Sequence, residues 1–511
     1  LTAVRRAIIA VFVLAFAAGC GARTSPPLVQ PGALEAALSP LEQLRRDLQQ
    51  LFTHTSLDHA NWGVKVESLR TGETLYSHNP FKFLLPASNQ KLLTAAVAAE
   101  RLGWDYRFTT RVLATGTIDA DGMLQGDLVV VGDGDPSINP RHAERWGVFN
   151  DWAAALRSRG VRAINGRIVG DDNAFEEPGL GQGWTWENLP YGFGTAIGAL
   201  QYNENQIAVS ITPGAAGTPA AVTATPAVHG MVIDGRATTV AAGAPNTVDI
   251  FRLPGSSVLY VRGDIAADAK PVTITASVEN ATRMYVNALK EALVRNGIDV
   301  SGDAVDIDEL HVPTAVAATT ELIVDRSPPL AEIIDVCLKW SRNEYAETLL
   351  RAVAPAGRPS TTREALEVMR GQLLAWGIPP AFVVPMDGSG LSRQDYVTPH
   401  ALTLLLTYLW MEPKHQDVFR STLPVAGMSG SLAERMKATP LEGRVWAKTG
   451  TLSNVRGLSG YLLTRLGEPV VFSMISNNFQ VPTAEIDAAM ENALLRVFEY
   501  APGSNRHGTG R

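Results

Sequence analysis

Pro86-Ala87-Ser88-Asn89-Gln90-Lys91-Leu92-Leu93-Thr94-Ala95-Ala96-Val97-Ala98-Ala99 decides the reading of this chain. Leu92, Leu93, Ala95, Ala96, Val97, Ala99 and Leu102 make a helix that is apolar nearly all round, and such a helix is buried. Gly103 can cap it. Lys91 sits inside this helix, where an unpaired ammonium is costly. Ser88 and Lys91 are three apart, so at a helix start they share one face. Desolvation disfavours the ammonium, and a second cation nearby depresses its pKa further. Lowered in that way, Lys91 can take the proton of the Ser88 hydroxyl. Alone the pair is weak, because a serine at a helix start is usually a cap.

Two distant strings complete the pair. Ser341-Arg342-Asn343 lies between an apolar helical run, Leu330 to Leu338, and a second helix expected over Glu344 to Val353. At that turn Ser341 can relay a proton to a leaving amine, and Asn343 can donate to Lys91 or to a substrate carbonyl. Lys448-Thr449-Gly450 ends an alternating strand, with Lys448 and Gly450 on one face. Gly450 is read as room for a substrate backbone, added along this edge as an extra strand. Lys448, with the Thr449 and Thr451 hydroxyls, can hold a terminal carboxylate. The backbone N–H groups of Ser88 and Thr451 can form an oxyanion hole.

Texture divides the chain around these strings. Residues 41–107 carry the helix Leu41 to Leu51, the strand Gly63 to Leu69 and the Ser88 helix. Residues 108–316 alternate short strands with Gly, Pro and Asp turns, interrupted by helices at Asp151 to Arg159 and Ala281 to Asn296. An outer part, about 108–202 and 276–316, encloses a nested β module, about 203–275. Helices return over 317–500 at Pro328 to Lys339, Ser360 to Trp376 and Pro399 to Trp410, with Ser327 as an N-cap. Strands at Val445 to Thr449, Gly457 to Thr464 and Val470 to Ser476 follow, then a helix over Thr483 to Phe498. The expectation is an α+β domain, an antiparallel sheet flanked by helices, split by a long β-rich insertion.

The ends read differently. Arg5 and Arg6 precede an apolar run, Ala7 to Ala18, too short to span a bilayer comfortably. Residues 1–20 read as a signal peptide, and Ala17-Ala18-Gly19-Cys20 resembles a lipoprotein cleavage site with Cys20 as the lipidated residue. That places the protein in the periplasm or cell envelope, with a lipid anchor as its only membrane attachment. Residues 21–40 read as a Pro-rich linker and 501–511 as a disordered tail. Hydrophobic residues make up 46% of the 511 and charged ones 19%, enough for several cores. The net charge of -7 argues against nucleic acid as a partner. Cys337, the second of two cysteines, reads as a packed core thiol. Gly132-x-Gly134 lacks the Lys-Ser/Thr of a phosphate loop, and the nine histidines show no His-Glu-x-x-His pattern, so no metal or cofactor is expected.

The chain resembles the D-alanyl-D-alanine carboxypeptidase/endopeptidase group, the class C low-molecular-mass penicillin-binding proteins (peptidase family S13). The resemblance rests on Pro86 to Lys91, Gly132-Asp133-Gly134-Asp135-Pro136, Asn203-Glu204-Asn205, Asp387 to Arg393 and Lys448 to Thr451. It implies a serine β-lactamase/penicillin-binding (transpeptidase-like) domain split by two inserted domains. It implies Ser88 as the acylated nucleophile, Lys91 as base, Ser341 and Asn343 for proton relay and orientation, and Lys448 for electrostatic support. The substrate would be peptidoglycan stem peptides, with β-lactams as covalent inhibitors. Trp184 to Tyr191 resembles a loop that approaches the active site, so Arg393, Leu452, Ser453 and Tyr191 would meet the stem-peptide side chain. Glu187-Asn188 and Arg342 depart from the family pattern. Two alternatives stay open: a β-lactamase or esterase with the same trio, and a non-catalytic peptidoglycan-binding protein.

Overall fold

The computed structural model describes residues 38–310, 319–357 and 359–501. The leader-like residues 1–20 with Cys20, and the tail after 501, lie outside them. The unit from Pro40 onward is built on a five-stranded antiparallel sheet. Its order is Thr74–His78, Asn61–Ser68, Pro469–Asn477, Val455–Leu463, Val445–Leu452. The first strands of the chain therefore pair with its last ones.

Both faces of this sheet are covered, so its strands read as apolar runs rather than alternating ones. Side chains still alternate in direction. Val471 and Ile475 pack against a helical layer, whereas Val470, Phe472 and Met474 pack against the helices Pro40–Phe52 and Thr483–Glu499. The helical layer comprises Gln90–Leu102, Leu330–Lys339, Asn343–Ala352, Thr362–Ala375 and Pro399–Met411. The helix at its centre is buried from Gln90 through Ala99, as an all-round apolar surface requires. Leu92 and Leu93, fully buried, each contribute roughly 1.5–3 kcal/mol. Gly103, at φ 85°, ends it with its N–H bonded to Ala99 O at 3.1 Å.

The stretch between Phe108 and Ser327 leaves and returns through paired chains. Strand Thr109–Ala114 lies antiparallel to Thr320–Arg326, with Thr109 opposite Arg326. Strand Thr320–Arg326 thus belongs to the inserted sheet, and we place the return near Ser327 rather than at 317. Ser327 is not the expected N-cap: its hydroxyl accepts from Phe108 N–H at 2.9 Å and donates to Pro328 O at 2.7 Å, closing this doorway. Beyond it, the sheet of Ala304–Asp306, Ile168–Asp171, Leu128–Val131, Thr109–Ala114 and Thr320–Arg326 packs with helices Val148–Ser158 and Ala281–Arg295 around one core. Further short sheets between Gln206–Thr212 and Val272–Ser277 enclose a smaller core of their own.

Candidate active site

The turn before the buried helix is where the site begins. Ala87 has φ 47°, Ala87–Asn89 forms a single 3-10 turn, and the α-helix starts at Gln90. From Pro86 to Ala99, Ser88 alone keeps partial exposure. Asn89, fully buried, anchors this turn to the sheet. In the amide orientation that satisfies both its atoms, it donates to Ser459 Oγ at 2.9 Å and Lys448 O at 3.3 Å, and accepts from Gly450 N–H at 3.3 Å. Gly450 leaves room for this anchor and not for a substrate backbone. A Cβ there would lie 2.6 Å from the end of the Asn89 amide and 2.7 Å from Pro86 O. From the other side, Gly390 (φ 82°) lets the 387–393 loop press on the turn; its Cβ would sit 1.8 Å from Ala87 O.

Lys91 is fully buried, and its amine reaches Ser88 Oγ at 3.0 Å, Asn343 Oδ1 at 2.6 Å and Ser389 O at 2.8 Å. The last two atoms only accept. A neutral amine has two N–H donors and one lone pair, so with both donors committed the lone pair is left for the Ser88 proton. Burial holds the Lys91 pKa below its usual value, partly offset by the carboxylates of Asp387, Glu347 and Glu344. The Asn343 amide is oriented by its other end, where Nδ2 donates to Phe193 O at 2.7 Å.

Lys448 is also fully buried, opposite Ser459, which faces Ser473 in turn. Its amine donates to Ser341 Oγ at 2.8 Å and Thr449 O at 3.0 Å. Burial, then repulsion from Lys91, push its pKa well below that of a free lysine. Ser341, at φ 58°, turns out of the chain between its two helices to meet this amine. Two amines with suppressed charge thus flank the hydroxyls of Ser88 and Ser341. Cys337 lies beneath, fully buried, its thiol pushed up to about 12 by burial.

Above this floor opens a cavity of about 660 Å³. Ser88, Ser341, Asn343, Thr449, Thr451, Leu452, Ser453 and Arg393 line it, so most of the expected residues converge. Arg393 is held there by donating to Ser453 O at 3.1 Å. Tyr191 does not line it. Its hydroxyl donates to Asp249 Oδ1 at 2.6 Å and its ring stacks on Phe193, which takes the wall position instead. Thr185, Glu187, Asn188 and Ser431 also line it. The Ser431 hydroxyl bonds that of Thr449 at 2.7 Å, and Arg456 donates to the Thr451 hydroxyl. Strand Val445–Leu452 is at the sheet's edge, open to strand addition. A cavity of similar size, about 700 Å³, opens around Arg342, Glu204 and Trp340, but holds neither Ser88 nor Ser341 in its wall.

The 387–393 loop supplies a contact that motif spacing does not reveal, the Ser389 carbonyl against Lys91. Glu347 fixes this carbonyl by accepting from Gly388 and Ser389 N–H at 3.1 and 2.8 Å. Asp387 accepts from Gly390 and Ser392 N–H at 2.6 and 2.7 Å, and from Trp184 Nε1 at 2.8 Å.

Comparison with known proteins identifies the family. A family model described as the D-Ala-D-Ala carboxypeptidase 3 (S13) family matches residues 44–497. The chain belongs to this family. A D-alanyl-D-alanine carboxypeptidase of Actinomadura sp. (strain R39) is 36% identical over 485 residues, covering 92% of this chain and 87% of that protein. The D-alanyl-D-alanine carboxypeptidase DacB of Haemophilus influenzae is 27% identical over 447 residues, 86% of this chain and 90% of its own. The crystal structure of penicillin binding protein 4 (dacB) from H. influenzae matches with a TM-score of 0.76, covering 89% of this chain and 99% of that one. A second structure of it, complexed with a β-lactam, matches with a TM-score of 0.73. The α+β fold of the S13 chain is therefore that of a penicillin-binding protein.

Proposed function

We propose that Ser88 is the nucleophile through which this S13 enzyme, a serine DD-peptidase, attacks the terminal D-Ala-D-Ala bond of peptidoglycan stem peptides. The observation that carries the assignment is the committed Lys91 amine, with its remaining lone pair toward Ser88 Oγ at 3.0 Å. Lys91 takes the hydroxyl proton as Oγ adds to the scissile carbonyl. The N–H groups of Ser88 and Thr451 receive the developing oxyanion. Ser341, polarised by Lys448, relays the proton taken up by Lys91 to the departing D-alanine nitrogen. The C–N bond breaks, an ester forms on Ser88, and water then resolves it to the shortened peptide and free enzyme.

On the substrate side, Thr449 and Thr451 hydroxyls with Lys448 beneath them receive the terminal carboxylate. Arg393, Leu452, Ser453 and Phe193 meet the stem peptide. β-Lactams enter by the same route and acylate Ser88. The leader-like segment ending at Cys20 supports placement in the cell envelope, where this polymer lies, and the mass of the mature N-terminus tests lipidation.

Incubation with a fluorescent penicillin, followed by intact mass, tests the assignment. One long-lived adduct per chain on a peptide containing Ser88, with D-alanine release from a D-Ala-D-Ala peptide, is expected. Rapid turnover of the penicillin would instead favour a β-lactamase, and an adduct on another serine would remove Ser88 from the role.

A further inference from the structure

At the root of the segment that carries Thr185, Glu187, Asn188 and Phe193 into the cleft lies a smaller cavity of about 180 Å³. Asp172 and Glu177, before the segment, and Ile197 and Gly198, after it, share its wall with Asn280 and Thr282. Asp172, Asp306 and Asp308 each bring a carboxylate oxygen within 4.8 Å of the other two. Asp172 and Asp306 are both only 3% exposed. Asp172 Oδ2 accepts from the Thr282 hydroxyl at 2.6 Å, whereas its Oδ1 is buried with no partner. Asp306 is oriented by the Asn280 amide at 2.9 Å and the Asp308 N–H at 3.2 Å. A buried carboxylate oxygen with nothing to accept from is costly. Among the described residues, no lysine or arginine forms an ion pair with Asp172, Asp306 or Asp308.

We propose that Asp172, Asp306 and Asp308, with Glu177 at the rim, bind a hard divalent cation of the calcium class. The donors are all oxygen, which suits calcium or magnesium and not zinc. With their oxygens all within 4.8 Å of one another, one ion at about 2.4 Å can reach all three. The ion would supply the missing partner of Asp172 Oδ1, and exposed Asp308 leaves one side open for water ligands. It would also tie strands Ile168–Asp171 and Ala304–Asp306, already paired in parallel, to the start of the cleft-lining segment. The sequence alone pointed to no metal, because three aspartates spread over more than a hundred residues form no motif. The proposal does not depend on the serine chemistry.

The test uses the full chain, treated with chelator and then dialysed against calcium, with penicillin labelling as a check on folding. One calcium per chain is expected, raising the unfolding temperature by roughly 3–6 °C at saturating ion. Asp172→Asn and Asp306→Asn should each lose the ion and the shift while still taking up penicillin. Failure of the parent chain to bind calcium would overturn the proposal, as would binding that survives both substitutions. An Asp172→Asn chain more stable than its parent in chelator and equally stable in calcium would show a proton-sharing carboxyl pair in place of the site.

Discussion

Strand Pro469–Asn477 is buried at every position from Val470 to Asn477, whereas strand Ala221–Thr225 of the nested module is fully buried at none. The first belongs to a sheet covered on both faces; the second has one face in water. Only the doubly covered sheet can hold Lys448 fully buried and suppress its charge, because the shift comes from desolvation. The nested sheet makes no comparable demand. Stability in the central sheet is therefore tied to chemistry, and in the nested module it is free to vary separately.

The largest effect on that contrast comes from Ser88→Ala, which should abolish the penicillin adduct and lower peptide hydrolysis by at least about 10³-fold, read by intact mass and D-alanine release. Lys91→Met keeps the helix packed but removes the base, and acylation should fall about 10²–10⁴-fold in stopped-flow labelling. The parent's acylation rate should rise with pH as the ammonium of Lys91 is lost. Because the native Lys91 pKa lies below its unfolded value, the native state binds fewer protons and stability rises with pH up to the unfolded pKa of about 10.4. That slope should diminish in Lys91→Met.

Gly450→Ala sets a methyl group against Asn89 and the Pro86 carbonyl. A loss of about 1–3 kcal/mol in denaturant titration, with slowed acylation, is expected. In the nested module, Leu259→Ala empties a fully buried position and should cost about 2–4 kcal/mol, while acylation stays within about twofold. A Leu259 variant that loses acylation outright would break the separation drawn here. Val232→Ser, on the open side of the same module at 60% exposure, should change stability by less than about 0.5 kcal/mol.

The residues that converge on Ser88 were legible because their chemistry is unusual for their surroundings. A lysine in an all-apolar helix needs partners, and Ser341, Asn343 and Lys448 are the residues that the motifs nominate. What escaped the sequence is whatever depends on how separate segments meet. Gly450 reads as a gap for substrate until Asn89, hundreds of residues away, is seen to fill it. Tyr191 and Phe193 are alike in sequence, and only the Asp249 carboxylate, which draws the phenol away, separates them. Ser327 looks like a helix cap because two prolines follow it, yet its hydroxyl is used by Phe108, some two hundred residues earlier. The Ser389 carbonyl could not be read at all, since any residue type carries one.

The doorway formed by Phe108 and Ser327 bears on how such a chain could arise or be rebuilt. Its two sides already meet: Ser327 N–H bonds Phe108 O at 3.0 Å, and the strands beyond run antiparallel from Thr109 and Arg326. A short turn grafted across that seam would join Phe108 to Ser327 without stretching any strand of the central sheet. What the shortened enzyme would forfeit is the Phe193 carbonyl, so its Asn343 amide would swing with one end loose. The insertion is thus dispensable to the topology of the central sheet, yet it aims the Asn343 amide and walls the cleft with Thr185, Glu187, Asn188 and Phe193.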